Sequence, residues 1–215
     1  MIRYIIFDMD GVLVNTEPMH FAVWKQLFQE RGVSLEYDCY KGCIGSTGEY
    51  LCGLIYETYG RDFRGDPTIM KRFREIKNKV IASDGIPRIE GVPETISLLH
   101  RKGFHLAVAS SSPQEYIEFC MKELAISQYF DVLFSGERVP NPKPAPDVFL
   151  ETARRLHANP RECLVIEDSR NGCAAARAAG MSCLGFQNPD SGIQDLSSAD
   201  RIFYPFSELI EAAGL

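Results

Sequence analysis

Four short stretches of the 215-residue chain concentrate side chains able to do chemistry. Asp8 and Asp10 alternate about Met9 and are followed by Gly11. Ser110, Ser111 and Ser112 run together, Lys143 stands among Asn141, Pro142, Pro144 and Pro146, and Glu167 and Asp168 are adjacent. Such a set of carboxylates is mutually repulsive at neutral pH unless a cation sits among them. Oxygen donors with no nearby His or Cys favour Mg2+ over zinc. With two carboxylates this close, one can face a metal and a phosphorus atom while the other reaches a leaving oxygen. A carboxylate is a competent nucleophile toward a phosphoryl group. A second carboxyl can protonate the departing alkoxide and later take a proton from water. Gly11 would let the backbone turn so that amide N–H groups approach the phosphoryl oxygens. Ser110, with Ser111 beside it, can donate to one of these oxygens. Lys143 can neutralise another while pairing with Asp8, and Asp168 can complete the metal site. Charge stabilisation would then supply most of the rate.

These residues need elements that bring them to one place. Tyr4 to Phe7 is a short apolar run ending abruptly at Asp8, as a buried strand does. Phe104 to Ala109, Val132 to Phe134 and Cys163 to Ile166 repeat the signature, and a weaker strand candidate covers Ser182 to Phe186. Helical patterns separate them. Pro93 opens one that closes near Gly103, Pro146 and Asp147 open another, and the alanine-rich Asn171 to Ala179 stops at Gly180. The alternation predicts an α/β fold, a Rossmann-like parallel sheet with helices on both faces. Ligands of such sheets bind outside the carboxyl ends of the strands, which is where the reactive residues fall.

Between the first two strands the periodicity is helical throughout. His20, Trp24, Leu27 and Phe28 form one stripe; Leu51, Leu54, Ile55 and Tyr59 a second; Ile69, Phe73, Ile76 and Val80 a third, opened by Asp66 and Pro67. Residues 16–84 are therefore expected to form an inserted all-helical cap with candidate hinges at both connections, leaving 1–15 and 85–215 as the core. Thr16, where the chain leaves the core, suits a hinge or a helix cap. His20 shares its stripe with aromatic residues, so packing and substrate contact are both open to it.

The charge balance excludes other classes. With 23 Lys plus Arg against 29 Asp plus Glu and a formal net charge of −6, duplex nucleic acid and anionic membranes are unexpected partners. No run approaches the roughly 18 apolar residues of a membrane span. The N-terminus turns acidic too soon for a signal peptide, so a cytoplasmic location is expected. Seven cysteines without a C-x-x-C pair read as buried free thiols.

The segments FDMDGVLVNTEP, AVASSS, NPKPAPDVF and VIEDSRNG resemble the four motifs of the haloacid dehalogenase superfamily, over essentially the whole chain. The likeness is to its β-phosphoglucomutase-like and phosphoglycolate-phosphatase-like branch, whose helical cap follows the first motif. The resemblance implies Asp8 as nucleophile, Asp10 as general acid/base, and Ser110 and Lys143 as phosphate binders. It also implies Mg2+ held by Asp8, the Asp10 backbone carbonyl and Asp168, with Glu167 a direct ligand or one shell out. The expected activity is Mg2+-dependent hydrolysis of a small phosphorylated metabolite through an aspartyl phosphate, by a monomer. Dehalogenation is disfavoured, because dehalogenases of this superfamily lack the second Asp of the first motif.

A phosphomutase is the alternative. The mutase cap loop carries Lys-Gly and then, four residues after the Lys, an Arg that grips a second phosphate. Here Lys41-Gly42 leads to Gly45, and the shifted register puts Gly48 at the Arg position, so either way the clamp is lost. Gly45, Ser46 and Thr47 look more like the phosphatase loop and, with Thr16, His20 and Trp24, are the substrate-side candidates. A dinucleotide-binding oxidoreductase shares the sheet but is a weak rival, because the first turn lacks the G-x-G-x-x-G needed for pyrophosphate. A phospho-acceptor signalling domain has similar reactive residues but no reason to carry a cap.

Overall fold

The computed structural model describes residues 1–44 and 47–215. In chain order it has β1 (Tyr4–Phe7), α1 (Glu17–Gln29), α2 (Tyr37–Tyr40), α3 (Gly48–Tyr59) and α4 (Pro67–Asp84). Then follow α5 (Val92–Arg101), β2 (His105–Ser110), α6 (Gln114–Glu123), β3 (Val132–Ser135) and α7 (Asp147–Arg155). The chain ends with β4 (Cys163–Glu167), α8 (Arg170–Ala178), β5 (Ser182–Phe186), β6 (Arg201–Phe203) and α9 (Leu209–Ala213). Two compact units result, one of Met1–Asn15 with Arg88–Leu215 and one of Thr16–Pro87. The second crossing falls a little beyond the expected boundary at 84, because Arg88 bridges Val14 and so joins the first unit.

In the first unit the strands form one parallel sheet in the order β3-β2-β1-β4-β5-β6. This is the expected doubly wound arrangement, in which the chain starts at β1, works outward to β3 and then restarts at β4 on the other side. Ile6, Ala107, Ala109 and Val165 pack with Val148, Phe149 and Ala153 of α7 and Cys173, Ala175 and Ala176 of α8. Their sequence neighbours Ile5, Phe7, Leu106, Val108 and Ile166 are equally buried, so the opposite face is covered as well. The registers Phe7↔Val108 and Phe7↔Ile166 then bring the residues after β1, β2 and β4 to one edge.

The second unit buries the three predicted stripes in one core, with Trp24, Leu27 and Phe28 of α1, Leu51 and Ile55 of α3, and Ile69, Phe73 and Ile76 of α4. Trp24 stacks on Phe73 at 4.3 Å between ring centres. Asp66 caps α4 by accepting from the Thr68 amide at 2.8 Å, with Pro67 behind it, as the sequence predicts. Cys39 is half-buried and the other six cysteines are buried, all as free thiols. No helix among the described residues is long and apolar enough to cross a membrane.

Candidate active site

Asp8 directly follows β1 with its amide bonded to the Ile166 carbonyl, so its position is set by the continuation of the β1–β4 ladder. Lys143 reaches it from the loop before α7. The ammonium donates to Asp8 Oδ1 at 2.5 Å and Glu167 Oε1 at 2.8 Å, lies 3.4 Å from the Ala109 carbonyl, and sits over the Phe149 ring. A turn closed by the Ala145 main-chain amide on the Pro142 carbonyl, and the Asn141 side-chain amide donating to the Asp147 carboxylate, hold the loop that carries it. Burial by itself would lower the Lys143 pKa, but the charges of Asp8 and Glu167 outweigh it and raise it, so the group is a fixed cation. Asp8 is pushed up to about 7, first by burial, against the pull of Lys143 and with the repulsion of Glu167 and Asp10 added.

Glu167 is fully engaged by the protein. Its Oε1 accepts from Lys143, and its Oε2 accepts from the Ser169 amide at 2.8 Å and the Ser169 hydroxyl at 2.9 Å. That places it behind Lys143, with both oxygens accepting hydrogen bonds from the protein. Asp10 Oδ2 accepts from the Ser112 hydroxyl at 2.7 Å, with Ser110 Oγ at 3.4 Å. Ser110 is buried at the end of β2 and accepts from the Ser112 amide, whereas Ser111 is exposed. The hydroxyl that reaches Asp10 best is thus that of Ser112, because the turn after β2 directs alternate serines inward. Ser135 donates to the Ser112 carbonyl at 2.7 Å and steadies that turn.

Gly11 departs from expectation. Its N–H donates to the Val14 carbonyl at 2.8 Å, and Leu13 and Val14 donate to the Met9 carbonyl, so that amide closes the turn instead of facing outward. What glycine supplies is room and a φ of +82°: an ideal Cβ would stand 1.9 Å from Asp168 Oδ2.

A family model described as haloacid dehalogenase-like hydrolase matches residues 5–186. The chain belongs to that family. It is 32% identical over 178 residues to the phosphorylated carbohydrates phosphatase of Thermotoga maritima, covering 82% of this chain and 81% of the relative. It is 31% identical over 182 residues to the fructose-1-phosphate phosphatase YqaB of Escherichia coli, covering 84% of this chain and 94% of the relative. The crystal structure of CbbY from Rhodobacter sphaeroides in complex with phosphate superposes with a TM-score of 0.85 at 27% identity, covering all of both chains. Taken with the reactive residues at the strand ends, these make the chain a haloacid dehalogenase-like phosphatase.

The hydrolase's donors fit a hard dication. Asp8 and Glu167 face one ammonium, Asp10 and Asp168 add two further carboxylates after β1 and β4, all donors are oxygens, and Asp8 is raised by burial and by its neighbours' negative charge. Among the described residues no three His, Cys, Asp or Glu side chains gather as a ready metal cluster. Two carboxylates, Asp8 and Asp168, with the Asp10 main-chain carbonyl as third donor would not form one.

In the helical unit of this hydrolase the substrate-side candidates have structural places. Thr16 occupies the N-cap position of α1 without a side-chain capping bond, and it is buried. Trp24 belongs to the aromatic stack, which makes it a packing residue. His20 lies against Phe73, with Nδ1 3.9 Å from Glu17, and its Nε2 is buried with no hydrogen-bond partner. Thr47 caps α3 by accepting from the Tyr50 amide at 3.3 Å, while Gly45 and Ser46 lie outside the described residues. A buried polar pair that the stripes did not announce is Tyr40, which donates to Glu17 at 2.8 Å.

Proposed function

We propose that this phosphatase hydrolyses small sugar phosphates, using Asp8 as nucleophile and Asp10 as general acid and base. The observation that carries the reading is the buried pairing of Asp8 with Lys143 at 2.5 Å, beside an Asp10 carboxyl oriented by Ser112 at 2.7 Å. Lys143 holds Asp8 Oδ1, keeps that carboxylate aimed and offers positive charge to a phosphoryl oxygen. An Asp8 oxygen attacks phosphorus while the bond from phosphorus to the ester oxygen breaks, and the departing alkoxide takes the Asp10 proton. Water then attacks the phosphorus of the aspartyl phosphate, Asp10 accepts its proton, and Asp8 and inorganic phosphate are released. Bound Mg2+, held by Asp8, the Asp10 carbonyl and Asp168, would neutralise phosphoryl charge.

The sugar phosphate class is supported by the relatives, named for phosphorylated carbohydrates and fructose 1-phosphate. Xylulose-(1,5)bisphosphate is bound in a further CbbY structure with 26% identity and a TM-score of 0.83. Against a mutase, Lys41 is exposed and paired with Asp38 at 2.7 Å, and neither register supplies the second-phosphate Arg. The test is release of phosphate from a panel of hexose and pentose phosphates with Mg2+, by the wild type and by Asp8→Asn. Turnover by the wild type alone is expected. Isomerisation of β-glucose 1-phosphate in the presence of its bisphosphate, without net phosphate release, would assign a mutase instead.

A further inference from the structure

The loop after β5 touches the site at two points, and the motif residues do not explain it. Ser191, 1% exposed, donates its hydroxyl to Asp168 Oδ2 at 2.5 Å. Asn188, also buried, donates its side-chain amide at 2.8 Å to the carbonyl of Gly11, the residue that follows Asp10. The loop itself is tied down. The Asp190 amide donates to Asn188 Oδ1 at 2.9 Å, and Asn15 donates to Asp190 Oδ2 at 2.6 Å while accepting from Asn188 at 3.3 Å. Gly11 leaves the space these groups share, since an ideal Cβ there would meet Asp168 Oδ2 at 1.9 Å and Ser191 Oγ at 2.9 Å.

We propose that Ser191 is a positioning residue for the Mg2+ site, fixing the Asp168 carboxylate while Asn188 of the same loop fixes the main chain next to Asp10. The inference rests on the phosphatase reading above. A short O–H···O− bond to a buried carboxylate holds its rotamer, and a ligand already held in place is what a cation site needs. Groups that hold a ligand without touching the metal typically change its affinity by about 10–100-fold when removed. Ser191 acts on Asp168 and makes no contact with reacting atoms, so its mark should be on the ion rather than on the sugar.

The test is calorimetric titration of the protein with Mg2+ alone, together with the Mg2+ dependence of phosphate release, for wild type, Ser191→Ala and Ser191→Thr. Ser191→Ala should keep a cooperative melt and bind Mg2+ about tenfold or more weakly. Its KM for the sugar phosphate at saturating Mg2+ should move far less, and Ser191→Thr, which retains the hydroxyl, should recover most of the affinity. Wild-type affinity in Ser191→Ala, with hydrolysis by the wild type intact, would overturn this inference alone. Equal losses in both variants would trace the effect to packing and overturn the donor role. A wild type that neither binds Mg2+ nor releases phosphate would overturn the phosphatase reading, and this one with it.

Discussion

The Glu167 carboxylate occupies the volume that a side chain at position 172 would fill. An ideal Cβ on Gly172 would stand 1.6 Å from Oε1 and 2.4 Å from Oε2. Gly172 lies in the first turn of α8, and its amide donates to the N-cap hydroxyl of Ser169, which in turn donates to Glu167. The missing side chain lets Glu167 fold back onto the positive end of the helix, where the Ser169 donors and the aligned peptide dipoles favour a carboxylate. From there its second oxygen holds Lys143 against Asp8.

Gly172→Ala is therefore expected to harm the site more than the helix. The methyl cannot be accommodated without moving Glu167, and overpacking of this kind costs about 1–3 kcal/mol. The larger effect should be on kcat, roughly 10²-fold, because Lys143 loses the partner that sets its reach and a displacement near 1 Å is enough. Denaturant unfolding and steady-state phosphate release check this together. Unchanged kcat would show that Glu167 does not govern Lys143.

Glu167→Gln separates the two roles open to that residue. Both Glu167 oxygens already accept hydrogen bonds from Lys143 and Ser169, so Mg2+ affinity should stay close to wild type while kcat falls. Calorimetric titration against Asp168→Asn supplies the scale. A loss of affinity in Glu167→Gln as large as in Asp168→Asn would make Glu167 a direct ligand.

The helical unit offers an internal reporter, since Trp24 is the only tryptophan of the chain and stacks on Phe73. Phe73→Ala should open a cavity beside the indole and destabilise the structure by about 3–5 kcal/mol. Denaturant unfolding followed by Trp24 emission should show the transition shifted to lower concentration. An unmoved transition would contradict the packing assignment of both rings.

The strands that carry the site are legible in the sequence because each ends an apolar run on a polar or acidic residue. Tyr4–Phe7 and Ser182–Phe186 match the structure, and β2, β3 and β4 each extend one residue further toward the site than the apolar run. β6 is not legible, being three residues of which two are exposed, as an edge strand allows. The turn Asn188-Pro189-Asp190-Ser191-Gly192 reads as a connection and nothing more. Only the fold brings Ser191 to Asp168, 23 positions away. Its one signal in the sequence is its place directly after a strand end, at the sheet edge where ligands bind. Ser112 is legible as one of three serines, but which of them turns inward depends on the backbone after β2.

Asp10 gives the sharpest test of the chemistry, because its two proposed duties fall in different half-reactions. Its carboxyl is held by Ser112 at 2.7 Å, which aims it without replacing it. In Asp10→Ala, Asp8 and Lys143 still face each other, so attack on phosphorus survives for a substrate with a good leaving group such as an aryl phosphate. The water that must next attack the aspartyl phosphate has lost its base, and general acid–base assistance is worth about 10²–10⁴-fold. Rapid mixing should therefore show a burst of leaving group approaching one equivalent, then slow turnover, with phosphate retained on the protein. Normal multiple turnover in Asp10→Ala would remove Asp10 from both steps. A variant that releases no leaving group even from the aryl ester would place its role before phosphoryl transfer, in building the site.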